Sequence, residues 1–429
     1  MKNIDVILFV EHKDRELEIA IELQALLLSE GVTTVILSSV YHMLTALRKY
    51  RPKAIVTPST ALGKGSVGYN YYQIYGDQIM YFNLNFEQFI SSWKGKYKNS
   101  KHPAFTRIQR QFVWGEYFKE ILIDSGVNND NIVVTGRPYN ELVRKKYVGK
   151  KVKYRNELIK SHDIPQGNTL IMVALTDGLA YVTDDKIKYM ISNGAIENDL
   201  RDHVDYVKRN VNHIFQHIHD LIMDGTLKKN NITIILRPHP AIPNSHYLEL
   251  LKLGEEELEN VIVTKSENAL KWLTVADAFI TNYSTLAIEA KNIGTPIYLH
   301  EVYKKEINEN YWWINNCELI DSYESFVALL DKNHNNTNRA ALNLDETKYF
   351  IDDSLEPFHI RTVYINEQVK NRLPPRFEYG SILPLVINAG RRIFGSSLRN
   401  MLMKYNMGMT KPGIRSDYFS EKDIFNEMA

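Results

Sequence analysis

The chain has 429 residues, 44% of them hydrophobic and 24% charged, which excludes a globally disordered protein and bounds it at roughly two to three domains. Lys and Arg number 52 against 51 Asp and Glu, and a net charge of +1 gives no reason to expect a nucleic-acid partner. One cysteine, Cys317, excludes an intramolecular disulfide and a Cys-rich zinc module, so a reducing compartment is the simplest expectation.

The apolar run Val6 to Val10 reads as a buried strand. It is too short for a secretory leader, and no apolar stretch approaches the roughly 18 to 20 residues that cross a bilayer. The expectation is a cytoplasmic protein whose membrane association, if any, is peripheral. Arg15 to Glu30 predicts a helix stopped by Gly31. Strands are predicted at Thr33 to Leu37 and Lys53 to Thr57 around a helix from Tyr41 to Lys49, then at Gln111 to Trp114 and Asn131 to Thr135 around a helix from Tyr117 to Ser125. Alternating strands and helices argue for right-handed parallel βαβ units.

A basic stretch from Arg144 to Arg155 reads as a solvated connector, with a phosphate-facing role as the alternative. Alternation resumes with strands at Thr169 to Ala174, Ile232 to Leu236, Val261 to Thr264 and Ala278 to Thr281. Between the first two lies a helix from Arg201 to Asp224 with one continuous apolar stripe. Helices are expected at Asn268 to Val275 and from about Ser284, followed by the turn Gly294-Thr295-Pro296 into a strand at Ile297 to Leu299. The organisation is therefore two successive α/β halves, residues 1–140 and 166–345, with a connector at 141–165 and a tail at 346–429.

Two segments carry the chemistry. In Ala276 to Ala290 a buried strand ends at Thr281 and a helix begins near Ser284, so the free amides of its first turn form an anion site. Ser284 and Thr285 add hydroxyl donors there, and Glu289, one turn further in, is placed to accept from ribose hydroxyls. Simple capping of the helix by Ser284 or Thr285 explains the same residues. In Ile234 to Pro240, Arg237 and His239 stand at the carboxyl end of a buried strand, where open α/β sheets gather ligands. Arg237 offers a forked cation for phosphate, and His239 a hydrogen bond to a leaving diphosphate.

Together these segments resemble the C-terminal half of GT-B-type glycosyltransferases, and especially bacterial surface-carbohydrate biosynthesis proteins and the CDP-glycerol glycerophosphotransferases. The latter carry Asp-Tyr-Ser-Ser where this chain has Asn282-Tyr283-Ser284-Thr285. Glu11 to Leu17, Trp114 to Phe118 and Val134 to Pro138 also look like elements of these families. The resemblance implies two Rossmann-like domains facing a cleft, the nucleotide held mainly by the C-terminal one through Arg237, His239, Ser284, Thr285 and Glu289. It further implies no metal or other cofactor, since helix dipole and cationic side chains can neutralise a diphosphate; no Asp-x-Asp element stands at an obvious strand end. The general base for the acceptor is then sought at Glu11 or His12, with Glu116 in reserve. Glu11 is alternatively a structural partner of Arg15.

Other signals are weaker. Gly63 to Gly68 looks like a phosphate-cradling loop without the Walker spacing, and Tyr69, Tyr71, Tyr72 and Tyr75 suit either sugar stacking or packing. His213 and His217, an i, i+4 pair that could face a metal, read rather as surface histidines because no Glu stands beside His213, and Asp177-Gly178 reads as a minor nucleotide contact. From Tyr379 to Ser416 there is no acidic residue, while Arg391, Arg392, Arg399, Lys404, Lys411 and Arg415 alternate with apolar residues at helical spacing, a pattern suited to an anionic membrane interface. The expected activity is transfer of a sugar from a nucleotide-activated donor to a glycan or lipid-linked acceptor in surface-polysaccharide synthesis. The alternatives are CDP-polyol phosphate transfer, a non-hydrolysing nucleotide-sugar 2-epimerase, and a silent scaffold of the same fold.

Overall fold

A computed structural model describes residues 1–59, 67–88, 105, 108–239, 242–254, 258, 260–304, 314, 317–331 and 356–376. The chain divides into two units. The first is built on six parallel strands, β1 Lys2–Val10, β2 Thr34–Ser38, β3 Tyr50–Thr57, β4 Met80–Asn83, β5 Gln109–Val113 and β6 Ile132–Val134. They form one sheet in the order β2-β1-β3-β4-β5-β6. The second unit has β7 Thr169–Val173, β8 Ile232–Leu236, β9 Val261–Val263, β10 Ala278–Thr281, β11 Ile297–His300 and β12 Glu318–Ile320. These make another six-stranded parallel sheet, in the order β12-β11-β10-β7-β8-β9. Strands such as β8, with all five residues buried, have the continuous apolar character of a sheet covered on both faces.

In the first unit Phe82 and Phe112 stack at 5.8 Å, and Tyr364 of the helix Pro357–Lys370 meets both rings edge-on. Arg361 of that helix is fully buried; its Nε donates to Thr135 Oγ1 at 3.0 Å, and burial pushes its guanidinium down to about 9 against the pull of Glu141. Glu141 in turn accepts the Phe358 amide at 2.9 Å. The Thr135 to Pro138 segment is thus an anchoring point for this helix. Gly31 ends the helix Lys13–Ser29 at φ +77°, the left-handed conformation expected of it.

Several expectations change. Residues 67–75 form a helix whose Tyr71 and Tyr75 are core residues, so packing rather than sugar stacking accounts for them. Gly68 belongs to that packing: a Cβ there would come within 2.6 Å of the Phe105 ring. Residues 60–66 and the basic tail from Tyr379 lie outside the described residues. The basic connector is two helices, Pro138–Lys146 and Lys151–Ser161, and its cations are not simply solvated. Lys151 and Arg155 pair with Asp277 at 2.8 and 3.0 Å, and Arg155 also donates to the Asn168 carbonyl at 2.6 Å. Burial opposes ionisation of Asp277, but Lys151, the Leu170 amide and Arg155 outweigh it and hold the carboxyl below its usual range. Among the described residues, no helix is long and apolar enough to cross a membrane.

His217 is likewise not a surface residue. It is 8% exposed, and its Nδ1 lies 3.2 Å from Nε2 of the buried His300. Burial first, then the neighbouring His217 and His213, lower His300 to about 3; burial also lowers His217. Unfolding returns His300 towards 6.5, so between these values the unfolded chain binds more protons and stability is lost as pH falls below about 6.5. We expect the melting temperature to fall steadily from pH 7 to pH 5, this one histidine removing up to about 1.4 kcal/mol of stability per pH unit. His300→Gln should flatten that slope in a pH-resolved thermal melt.

Candidate functional site at the second sheet's switch point

In the second sheet the chain starts at the central strand β7, runs outward through β8 and β9, then returns to lay β10 against the other side of β7. The two crossover directions diverge between β7 and β10, and the carboxyl ends of strands at such a point are where open α/β sheets bind ligands. Asn282, one residue past β10, spans that gap. Its Oδ1 accepts the Thr176 amide at 2.9 Å and the Tyr283 amide at 2.7 Å, while Nδ2 donates to the Thr176 carbonyl at 3.2 Å. Thr281 adds a second tie, its hydroxyl donating to the Ala174 carbonyl at 2.8 Å.

The helix Leu286–Ile293 begins immediately afterwards. The Ser284 amide donates to Thr281 Oγ1 at 3.2 Å, and Ser284 Oγ accepts the Leu286 amide at 3.3 Å. With the Tyr283 amide held by Asn282, three of the four amides entering the helix are satisfied internally. The Thr285 amide makes no hydrogen bond among the described residues, and Ser284 and Thr285 are half-buried. The expected anion site is therefore narrower than a full turn of free amides. Glu289 lies in the first turn and is 4% exposed, packed within the unit rather than presented to solvent. Gly294 closes the helix at φ +89°, and Thr295 donates to the Leu273 carbonyl at 2.8 Å, which fixes the turn into β11.

Arg237 departs from the expected arrangement. Its side chain is buried, and Nη1 and Nη2 donate to the carbonyls of Ser266 and Glu267 at 3.0 and 2.8 Å. The fork is spent on holding the loop after β9, so the arginine positions backbone rather than offering both donors to phosphate. His239 is exposed at the end of β8, and its backbone is tied to the Tyr247 hydroxyl and, through its carbonyl, to the Ile242 amide at 2.8 Å. Tyr247 also donates to Oδ2 of Asp177 at 2.7 Å. Asp177 is wholly buried, and that burial, only partly offset by Tyr247, raises its carboxyl to about 6. The sequence points weakly to Asp177 and not at all to Tyr247, whose role depends on a helix 70 residues away.

In the first unit, Glu11 and His12 follow β1, at the point where β2 and β3 flank it on opposite sides. The amides of both donate to Oε2 of the buried Glu16 at 2.7 and 3.2 Å. Ser59, past the end of β3, reaches Glu11 Oε2 at 3.5 Å. Arg15 pairs with Glu16 and Glu87, both at 2.7 Å, so the structural pairing with Glu11 is not formed. Glu116 opens a helix on its own, 56% exposed and paired with Lys119 at 3.0 Å. The structure does not gather it with Glu11.

A family model described as CDP-glycerol:poly(glycerophosphate) glycerophosphotransferase matches residues 124–344, which contain the whole second sheet and make up just over half of the chain. The chain belongs to this family. It is accordingly a transferase that works on a nucleotide-activated donor. Among solved structures it is similar to the wall teichoic acid polymerase TagF in a histidine-to-alanine variant, at a TM-score of 0.54 and 13% identity over 86% of this chain and 90% of that one. A TagF histidine-to-asparagine variant soaked with CDPG matches at 0.52 and 14%, covering 85% and 89%. A putative UDP-N-acetylglucosamine 2-epimerase from Listeria monocytogenes matches at 0.52 and 14%, covering 88% and 100%. At these identities the likeness establishes the fold, which is GT-B-like, and no more. No curated protein sequence gives a significant match.

The family resemblance places Asp where this transferase has Asn282, and the geometry explains what the amide does. A carboxylate accepts the two amides but cannot donate to the Thr176 carbonyl, and it sets a negative charge beside the Ser284 and Thr285 turn. Asn282→Asp should cost about 1 to 3 kcal/mol, as a lost buried hydrogen bond does, and lower the melting temperature by several degrees. An unchanged melt would mean that Nδ2 contributes nothing to the bridge.

Proposed function

We propose that this protein transfers a polyol phosphate, glycerol phosphate in the first instance, from a CDP-linked donor to a hydroxyl of a cell-wall polymer. An acceptor oxygen forms the new P–O bond, the bond between the two donor phosphates breaks, CMP leaves, and the acceptor proton passes to a base. The observation that carries this reading is that the residues matching the family contain the strand-end turn from Asn282 to Thr285, with the Thr285 amide left over at a helix start.

The chemistry follows from the pieces. The Thr285 amide and the positive end of the helix Leu286–Ile293 favour the charge that builds on the leaving phosphate. Ser284 and Thr285 supply hydroxyls beside it. His239, held at the end of β8 by its backbone, donates to a phosphate oxygen or protonates the departing CMP. Arg237 keeps the adjoining loop in place. Glu11 and His12 are proposed as the acceptor-side base on the strength of their position at the first sheet's own switch point, and no metal is assigned a role.

The test is CMP release from CDP-glycerol in the presence of a glycerophosphate-primed acceptor. The wild-type protein should turn over, and His239→Ala combined with Ser284→Ala should lower kcat by about 100-fold or more while the melting temperature stays within a few degrees. Turnover of UDP-N-acetylglucosamine but not CDP-glycerol would replace this reading with sugar transfer. Full activity of the double variant would remove the site.

A further inference from the structure

Beside the phosphate end of this site, the second unit holds a group of polar atoms that the chain itself leaves unsatisfied. Asp177 Oδ1, the Tyr181 hydroxyl and His246 Nε2 are all buried and have no hydrogen-bond partner among the described residues. They belong together. Ala180 donates its amide to the Asp177 carbonyl at 2.8 Å, closing a turn that returns Tyr181 to Asp177. Tyr181 and His246 meet ring edge to ring face at 4.2 Å, and Tyr247, which follows His246 in the helix Asn244–Leu251, holds the other Asp177 oxygen. Asp177 is 0% exposed, whereas Tyr181 and His246 are half-buried, so the carboxyl is the floor and the two rings are the rim.

A buried acceptor without a donor costs free energy unless a ligand or an ordered water supplies one. The atoms present restrict what that ligand is. A phosphate or carboxylate has only acceptors to offer and would face the Asp177 carboxyl. A cation would satisfy Asp177 Oδ1 but leaves the Tyr181 hydroxyl proton without an acceptor. A hydroxyl fits all three positions, because it donates its one proton to Oδ1 and accepts from the Tyr181 hydroxyl and from His246 in the tautomer that carries its proton on Nε2. The group also adjoins the nucleotide site, since Thr176, one residue before Asp177, is the residue Asn282 holds, and Tyr247 joins Asp177 to the His239 backbone.

We propose that Asp177, Tyr181 and His246 form a subsite for a hydroxyl of the group that the donor carries beyond its diphosphate. This rests on the donor reading above. It makes Tyr181 and His246 determinants of which polyol or sugar is accepted, and Asp177 the anchor that orients it.

The experiment is calorimetric titration of the full chain with CDP-glycerol and with CDP, using wild type, Asp177→Asn and Tyr181→Phe, and the same series with UDP-N-acetylglucosamine and UDP. Tyr181→Phe removes one hydroxyl from a residue at the rim and leaves the ring contact with His246 intact. The expected result is that both variants weaken CDP-glycerol by about tenfold, as loss of one hydrogen bond does, and leave CDP within about twofold. Equal weakening of CDP and CDP-glycerol, or no weakening of either, overturns the subsite and leaves the CDP reading standing, the cluster then being closed by an internal water only. If the selective loss appears with the UDP pair instead, the subsite holds and the CDP-polyol reading falls. Failure of every donor and nucleotide to bind wild type overturns both.

Discussion

The second unit depends on one side-chain amide. Past the last backbone bond between the two strands, from the Ala174 amide to the Ile280 carbonyl at 3.2 Å, the strand ends are held by side chains, and Asn282 bridges them. Its carbonyl takes two amides and its NH2 group donates to a carbonyl, so a single residue satisfies three backbone groups that would otherwise need water. The consequence for function is positional. Ser284 and Thr285 follow directly, and their place relative to the end of β7 is set by that bridge and by the Thr281 hydroxyl behind it.

Charge in this unit is spent first on architecture. Lys151 and Arg155 converge on Asp277, which also accepts the Leu170 amide, so the start of β10 is pinned to the start of β7 by an ion-pair network. Arg237 does similar work at the other end of β8, gripping two carbonyls of the loop after β9. Of the residues expected at the anion site, a helix end, the Ser284 and Thr285 hydroxyls and the exposed His239 are placed at the carboxyl end of this sheet. That is a modest positive field, in keeping with a net charge near zero for the whole chain.

Much of this fold is legible in the sequence because its strands are buried on both faces. Ile232 to Leu236 and Ala278 to Thr281 are dominated by apolar and β-branched residues, and their bounds emerge as read. Short or polar elements escape: β4 ends in Asn83, whose amide joins Asn85 and Gln111 in a buried network, and nothing local marks it as a strand. The site is legible as positions and not as directions. Arg237 stands where expected at a strand end, yet only the folded chain turns its fork to Ser266 and Glu267. Lys151 and Arg155 look like a solvated run because their partner Asp277 lies 126 and 122 residues later. Tyr181 and His246 carry no motif at all, and only a turn and a helix register bring them to Asp177.

A crystal structure of the protein with CDP tests this arrangement most directly. A phosphate oxygen is expected within hydrogen-bonding distance of the Thr285 amide, in the turn formed by Ser284 and Thr285, with the Asn282 bridge to Thr176 unchanged. Phosphates bound away from that turn, or an Asn282 side chain released from Thr176 to admit them, would contradict it.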